Sequence, residues 1–248
     1  MRVLMTPDYP TLSQTAADLI LKALARKPDL TLGLPTGNTP LGMYAAIVNS
    51  YRDSHLDFSR VRTFNLDEYF GLPPEHPKSY HTYMREHFFD HVNIPPTNRH
   101  IPDGSPGIET AAESDKYERA IQDNGGIDLL IVGIGANGHI AFNEPGSRFD
   151  SRTRAVNLAP ETIANARRHF PSEAAVPRQA ITMGIGTILE ARRILLLASG
   201  ASKAEAVRRA LGGPISESLP ASALQLHSRV IVILDEAASY GMRRTDEI

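Results

Sequence analysis

Residues 128–145 read DLLIVGIGANGHIAFNEP, an almost wholly apolar run that breaks into glycine and then into polar side chains capable of chemistry. The run is continuous, not alternating, which predicts a strand buried on both faces, as in a parallel sheet. Three glycines in six residues, Gly133, Gly135 and Gly138, then let the backbone come close to a ligand. Runs of the same kind stand at 2–5, 30–34, 61–65, 193–198 and 229–234, with further strand-like sequence at 180–183. Between them lie helical patterns over 11–26, 39–51, 79–91, 109–122 and 202–211. Buried strands alternating with amphipathic helices predict an α/β fold: a doubly wound, mostly parallel sheet flanked by helices, a modified Rossmann-like plan. No repeat or linker divides the chain, so a single domain over 1–248 is expected. Residues 155–177 break the strand–helix rhythm with polar sequence carrying Arg167, Arg168 and His169. A connection of this kind reads either as a helical active-site lid or as an ordinary surface helix with loops.

The composition removes several classes of function. Net charge is -2 and no long run of like charge occurs, so nucleic acid is not an expected partner. Mean hydropathy is -0.23, and no stretch approaches the twenty or so apolar residues of a membrane span. The apolar run near Met1 is too short for a signal-peptide core, and a cytoplasmic location is expected. With no cysteine, disulfides, thiolate-held metals and thiol nucleophiles are excluded. The nine histidines form no HxH or HExxH pair, and His81, His87 and His91 stand six and four residues apart. No metal site is expected.

In a doubly wound sheet, ligands lie beyond the carboxyl ends of the strands. The first such exit is Leu34–Pro40, LPTGNTP, where Gly37 permits a tight turn and Thr36 and Thr39 offer hydroxyls. The following helix start suits a phosphate, although a plain cap and turn would use the same residues. The second exit is NLDEY at 65–69, whose adjacent Asp67 and Glu68 point to opposite sides, so that one can face a ligand while the other faces structure. A carboxyl in a partly dry pocket is a candidate general base. The third exit carries Asn137, His139 and Glu144, and a histidine held by an acid is the usual proton shuttle. GIGANG also resembles a dinucleotide fingerprint, but it does not open the first strand–helix unit and no acid follows at the required distance. Lys203, in the SGASK turn at 199–203, can meet an anion or can simply be a solvated first-turn residue.

LGLPTGNTP (32–40), FNLDEYFGLPPEHPKSY (64–80), GIGANGHIAFNEPG (133–146), SRTR (151–154), Asn165–Ala166–Arg167, ASGASK (198–203) and LQLH (224–227) occur in that order. Together they resemble the glucosamine-6-phosphate deaminase (isomerizing) family over nearly the whole chain. The resemblance implies an enzyme for a phosphorylated amino sugar that needs no cofactor. Asp67 would carry a proton between C2 and C1, and His139 would open the ring with Glu144 orienting and charging it. Thr36, Gly37, Asn38 and Thr39 would hold the phosphate, with Arg167 and Lys203 closing over it. Asn137 departs from the aspartate of the best-known members, which implies activity with an altered pH profile. Ser147, Arg148 and Val156 stand where allosteric members bind N-acetylglucosamine 6-phosphate, and the sequence ends at Ile248 after a short tail. That combination implies no such activation, and a monomer or a small homo-oligomer. The readings still open are a galactosamine 6-phosphate enzyme, a sugar-phosphate lactonase on a related fold, and a non-catalytic sugar-phosphate sensor.

Overall fold

The computed structural model describes residues 1–54, 56–172 and 175–242, apart from the side chain of His169. Two residues of the 155–177 segment and the tail at 243–248 therefore lie outside the described residues. Seven strands form one sheet: β1 (Arg2–Thr6), β2 (Thr31–Leu34), β3 (Arg62–Asn65), β5 (Arg99–His100), β6 (Leu129–Gly133), β9 (Ile194–Ala198) and β10 (Val230–Asp235). Their spatial order is β1-β10-β9-β6-β2-β3-β5 and every pairing is parallel. The chain enters at one edge, crosses to β2, moves outward through β3 to β5, then returns on the other side of β2 through β6, β9 and β10. The winding thus reverses between β2 and β6, and a ligand crevice opens where it does so.

The helices are α1 (Tyr9–Arg26), α2 (Leu41–Asp53), α3 (Tyr80–His87), α4 (Thr110–Asp123), α5 (Pro160–Ala166), α6 (Ile185–Leu189) and α7 (Ala204–Gly212). Helix α1 begins where the Asp8 carboxylate accepts from the Thr11 N–H, with a proline in its first turn. The pleat sends alternate residues to opposite faces, and the packing follows it. Leu129 and Ile131 of β6, with Leu195 and Leu197 of β9, pack on the α1/α2 face. Leu130 and Val132, with Ile194 and Leu196, pack on the face holding α4, α6 and α7. Two dry faces explain the uninterrupted apolar runs.

A second sheet was not expected. Strands β4 (Asp67–Tyr69), β8 (Gln179–Thr182) and β7 (Arg154–Asn157) pair antiparallel in the order β4-β8-β7 beside the strand ends. Only β8 was expected, at 180–183. Helix α3 also stops at His87, short of residue 91, because Phe88 leaves helical geometry and a 3-10 turn follows.

Candidate active site

The loop after β2 is braced from outside by tyrosines. Tyr44 donates to the Pro35 carbonyl at 2.6 Å and Tyr83 to that of Gly37 at 2.6 Å. Tyr9 shares its hydroxyl proton between the carbonyls of Asn38 and Thr39, each at 3.1 Å, and accepts from the Gly42 N–H. The carbonyls of Pro35, Gly37, Asn38 and Thr39 are thereby occupied. Among the described residues, the N–H groups of Thr36, Gly37, Asn38 and Thr39 donate to no protein acceptor. Gly37 sits at φ 96°, a conformation that glycine adopts at little cost. No side chain caps α2, so Thr39 does not play the cap role that the sequence also allowed. Unclaimed donors at a helix start form a nest for an anion.

Asp67 and Glu68 are both buried and are treated in opposite ways. Glu68 accepts the N–H groups of Tyr69, Tyr80 and His81, and lies 2.9 Å from His81 Nδ1, so it ties β4 to the start of α3. None of these donors reaches Asp67. Burial, reinforced by the charge of Glu68, pushes the Asp67 carboxyl up to about 8. Across the small sheet Asp67 faces Thr182, whose hydroxyl accepts from the Phe142 N–H. Asn143 donates to the Met183 carbonyl at 2.8 Å, and the Met183 N–H donates to Leu66. β8 therefore staples the 133–145 loop beside Asp67.

Within that loop, three expected residues form one bonded group. Asn137 donates from Nδ2 to Glu144 Oε2 at 2.8 Å and accepts the His139 N–H on its own Oδ1. His139 Nδ1 lies 3.4 Å from the same Glu144 oxygen, too long and poorly aligned for a regular hydrogen bond. The imidazole lies over Gly135, where a Cβ would meet ring atoms at 2.4 Å; only glycine fits beneath it. Burial alone would raise the Glu144 carboxyl. His139, Thr162 and Asn137 outweigh burial and hold it at about 2. A stable carboxylate facing an imidazole can orient the ring and stabilise its charged form.

Lys203 closes the short 3-10 turn before α7 and is half-buried; desolvation and the charge of Arg168 lower its pKa. Its turn is anchored where Asp235 accepts from the Ser199 hydroxyl and the Gly200 N–H. Residues 155–177 contribute β7, α5 and a 3-10 turn, and bury Ile163, Ala166 and Phe170 with Tyr69 and Phe142. Arg167, exposed at the end of α5, donates to the Phe170 carbonyl at 2.8 Å, a contact inside its own segment. The structure thus joins Asn137, His139 and Glu144 by direct contacts and stitches Asp67 to their loop through β8. It shows no bond between Arg167 and the 36–39 loop. Thr162 on α5, which donates to Glu144 Oε1, was not anticipated, nor were the tyrosine braces. A threonine or a helix-spaced tyrosine carries no chemical signal until its partner is known.

Residues 9–233 match the family model described as glucosamine-6-phosphate isomerases/6-phosphogluconolactonase. A glucosamine-6-phosphate deaminase of Halothermothrix orenii is 52% identical over 96% of this chain and 99% of its own length. One from Clostridium botulinum is 49% identical over 96% and 98%. A solved monomeric glucosamine-6-phosphate deaminase superposes with TM-score 0.94 at 47% identity, covering 96% of this chain and 99% of that one. The 6-phosphogluconolactonase of Trypanosoma cruzi shares the fold at TM-score 0.80 but is 20% identical, over 97% and 96%. From strand order to the residues at the strand ends, this chain belongs to the glucosamine-6-phosphate isomerase/6-phosphogluconolactonase family.

Proposed function

We propose that this chain is a glucosamine-6-phosphate deaminase that converts glucosamine 6-phosphate and water into fructose 6-phosphate and ammonia. The observation that carries the reading is Asp67, a buried carboxyl with no hydrogen-bond partner among the described residues, poised at about 8 beside the His139 loop. A proton carrier between two carbons needs this freedom, because a carboxylate locked by donors is too weak a base. The substrate's own ammonium draws the Asp67 proton off by attraction, so the base forms when the sugar binds. His139, oriented by Glu144 and Asn137, transfers the ring-opening proton to O5. Asp67 then takes the C2 proton and returns it to C1, leaving an imine at C2. Water adds at that carbon and the C2–N bond breaks, releasing ammonia and the ketose.

The phosphate is held by Thr36, Gly37, Asn38 and Thr39 after β2, with Lys203 at the exit of β9, two strands away in the sheet. Residues 155–177 act as a lid, within one domain, that brings Arg167 over the phosphate. The enzyme works in the cytoplasm as a monomer or small homo-oligomer, a reading supported by the similar solved deaminase, which is described as monomeric; no helix among the described residues is long and apolar enough to cross a membrane. The curated relatives at 52% and 49% identity are glucosamine-6-phosphate deaminases, while the lactonase shares only the fold, and this favours deamination over lactone hydrolysis. The test is ammonia release from purified protein given glucosamine 6-phosphate or galactosamine 6-phosphate, with Asp67→Asn as control. Ammonia and a ketose phosphate from the glucosamine sugar, lost in the control, are expected. A folded wild-type protein that releases none from either sugar overturns the reading.

A further inference from the structure

The carboxylate of Glu144 is shared between two parts of the molecule. One oxygen, Oε2, takes the Asn137 amide at 2.8 Å and faces His139 at 3.4 Å. The other, Oε1, takes the Thr162 hydroxyl. Thr162 belongs not to the 133–145 loop but to α5, one turn inside the segment proposed as the lid. The same short helix ends against Arg167, the cation proposed to cover the phosphate. Helix α5 is seven residues long and starts without a side-chain cap, so it has few bonds of its own to fix its entry. Ile163 and Ala166 pack its inner side against Tyr69, Phe142 and Phe170, leaving the Thr162 hydroxyl as its polar tie to the loop. A helix turns as one body, so a displacement that lifts Arg167 also moves Thr162 away from Glu144.

The geometry points to Thr162 as a positioning residue: its hydroxyl latches the lid helix to Glu144, so that covering the phosphate and aligning Glu144 with His139 happen together. The turnover half of this inference rests on the deaminase reading; the latch itself does not. With the lid away, Glu144 keeps its bond to Asn137 but loses the tie on Oε1, so its carboxylate is held at one oxygen and faces His139 less rigidly. With the lid down, both carboxylate oxygens are held and the imidazole faces a fixed charge.

Thr162→Val keeps the shape and removes the hydroxyl; Thr162→Ser restores the hydroxyl. Two readouts are taken on the full chain: kcat and KM with glucosamine 6-phosphate, and the rate of trypsin cleavage after the exposed Arg167 and Arg168. Losing the latch should raise the open population and the cleavage rate about fivefold, the equivalent of one ordinary hydrogen bond. It should lower kcat about tenfold with KM within about threefold, because the 36–39 loop and Lys203 still hold the phosphate when Arg167 lifts. Thr162→Ser should return both to near wild type. Wild-type cleavage and kcat in Thr162→Val overturn the latch, and so does a Thr162→Ser protein as impaired as the valine variant, which would mean that the side chain only packs. If wild type releases no ammonia, the deaminase reading fails and the trypsin rates alone decide the latch.

Discussion

Among the regions that bury carboxylates, the α4–β7 junction and the strand ends do so to different ends. Where α4 meets β7, Glu118 accepts from the Thr153 and Thr187 hydroxyls, the Thr153 N–H and the Arg152 guanidinium. Burial pushes its pKa up, but those bonds outweigh burial and hold it below the ordinary value. At the strand ends, Asp67 is 6% exposed and has no such set of donors, so burial wins and its carboxyl rises to about 8. Burial with every oxygen satisfied ties the fold together. Burial with the oxygens unclaimed costs stability and persists where a proton must move. Glu144 lies between these extremes, held by side-chain donors yet turned toward an imidazole.

The sharpest break of that comparison is Asp67→Asn, expected to lower kcat about a thousandfold. It should also change stability with a sign that identifies the cause. The folded Asp67 pKa of about 8 exceeds the unfolded value of roughly 3.9, so between those pH values the folded state holds a proton that the unfolded state has released. Wild-type stability from this group is therefore present below about pH 4 and is lost as pH rises to about 8. Asparagine does not titrate. The melting temperatures of wild type and Asp67→Asn should coincide near pH 4, with the variant higher by about 10 °C at pH 8. Parallel melting curves across that window would mean that Asp67 is not the strained, proton-bearing group described here.

Glu144→Gln comes next. The shape and one acceptor stay, while the charge 3.4 Å from His139 goes. A loss of about a hundredfold in kcat is expected, and a loss under threefold would leave His139 working without its acid. Asn137→Asp is smaller and more telling. The Asn137 amide donates to Glu144 at 2.8 Å, and an aspartate there can do so only if the two acids share a proton. The Glu144 carboxyl, now at about 2, should rise, and the acid limb of kcat/KM should move up by about one pH unit with plateau kcat within tenfold. A profile that superimposes on wild type refutes that coupling.

The parts legible in the sequence are those whose cause is local. The run at 128–132 announces its strand because both faces are dry, and it does so with Leu129 and Leu130 on opposite sides. The strand-exit rule led to Asp67, His139 and Glu144 for the same reason: Asp67 stands two residues past a buried run, His139 seven past another, and Glu144 five further along the same exit. DEY at β4 and RAVN at β7 carried no such mark. They are strands only because β8, far along the chain, lies between them. β5 is two residues long and is strand only by pairing with β3. Thr162 was invisible for a related reason: its role is a contact with Glu144 that exists only once α5 has docked.

The smallest expected effect on turnover belongs to Glu118, and it completes the comparison. Glu118→Gln keeps the volume but leaves Arg152 with only Glu190 as an acid partner, and sets an amide N–H among donors that had been satisfied by oxygen. Unfolding in urea should become easier by about 2 kcal/mol, the cost of mismatched buried donors, with the Arg152 share kept small because that side chain is partly solvated. The hydrogen-bond partners of Glu118 are Arg152, Thr153 and Thr187, none of them proposed to act on the sugar, so kcat and KM should stay within about twofold of wild type. If kcat instead falls along with stability, the α4–β7 junction is not separate scaffolding. In that event β7, which pairs with β8 beside Asp67, carries the disturbance to the proposed proton carrier, and the division between carboxylates that hold and carboxylates proposed to react would have to be redrawn around that small sheet.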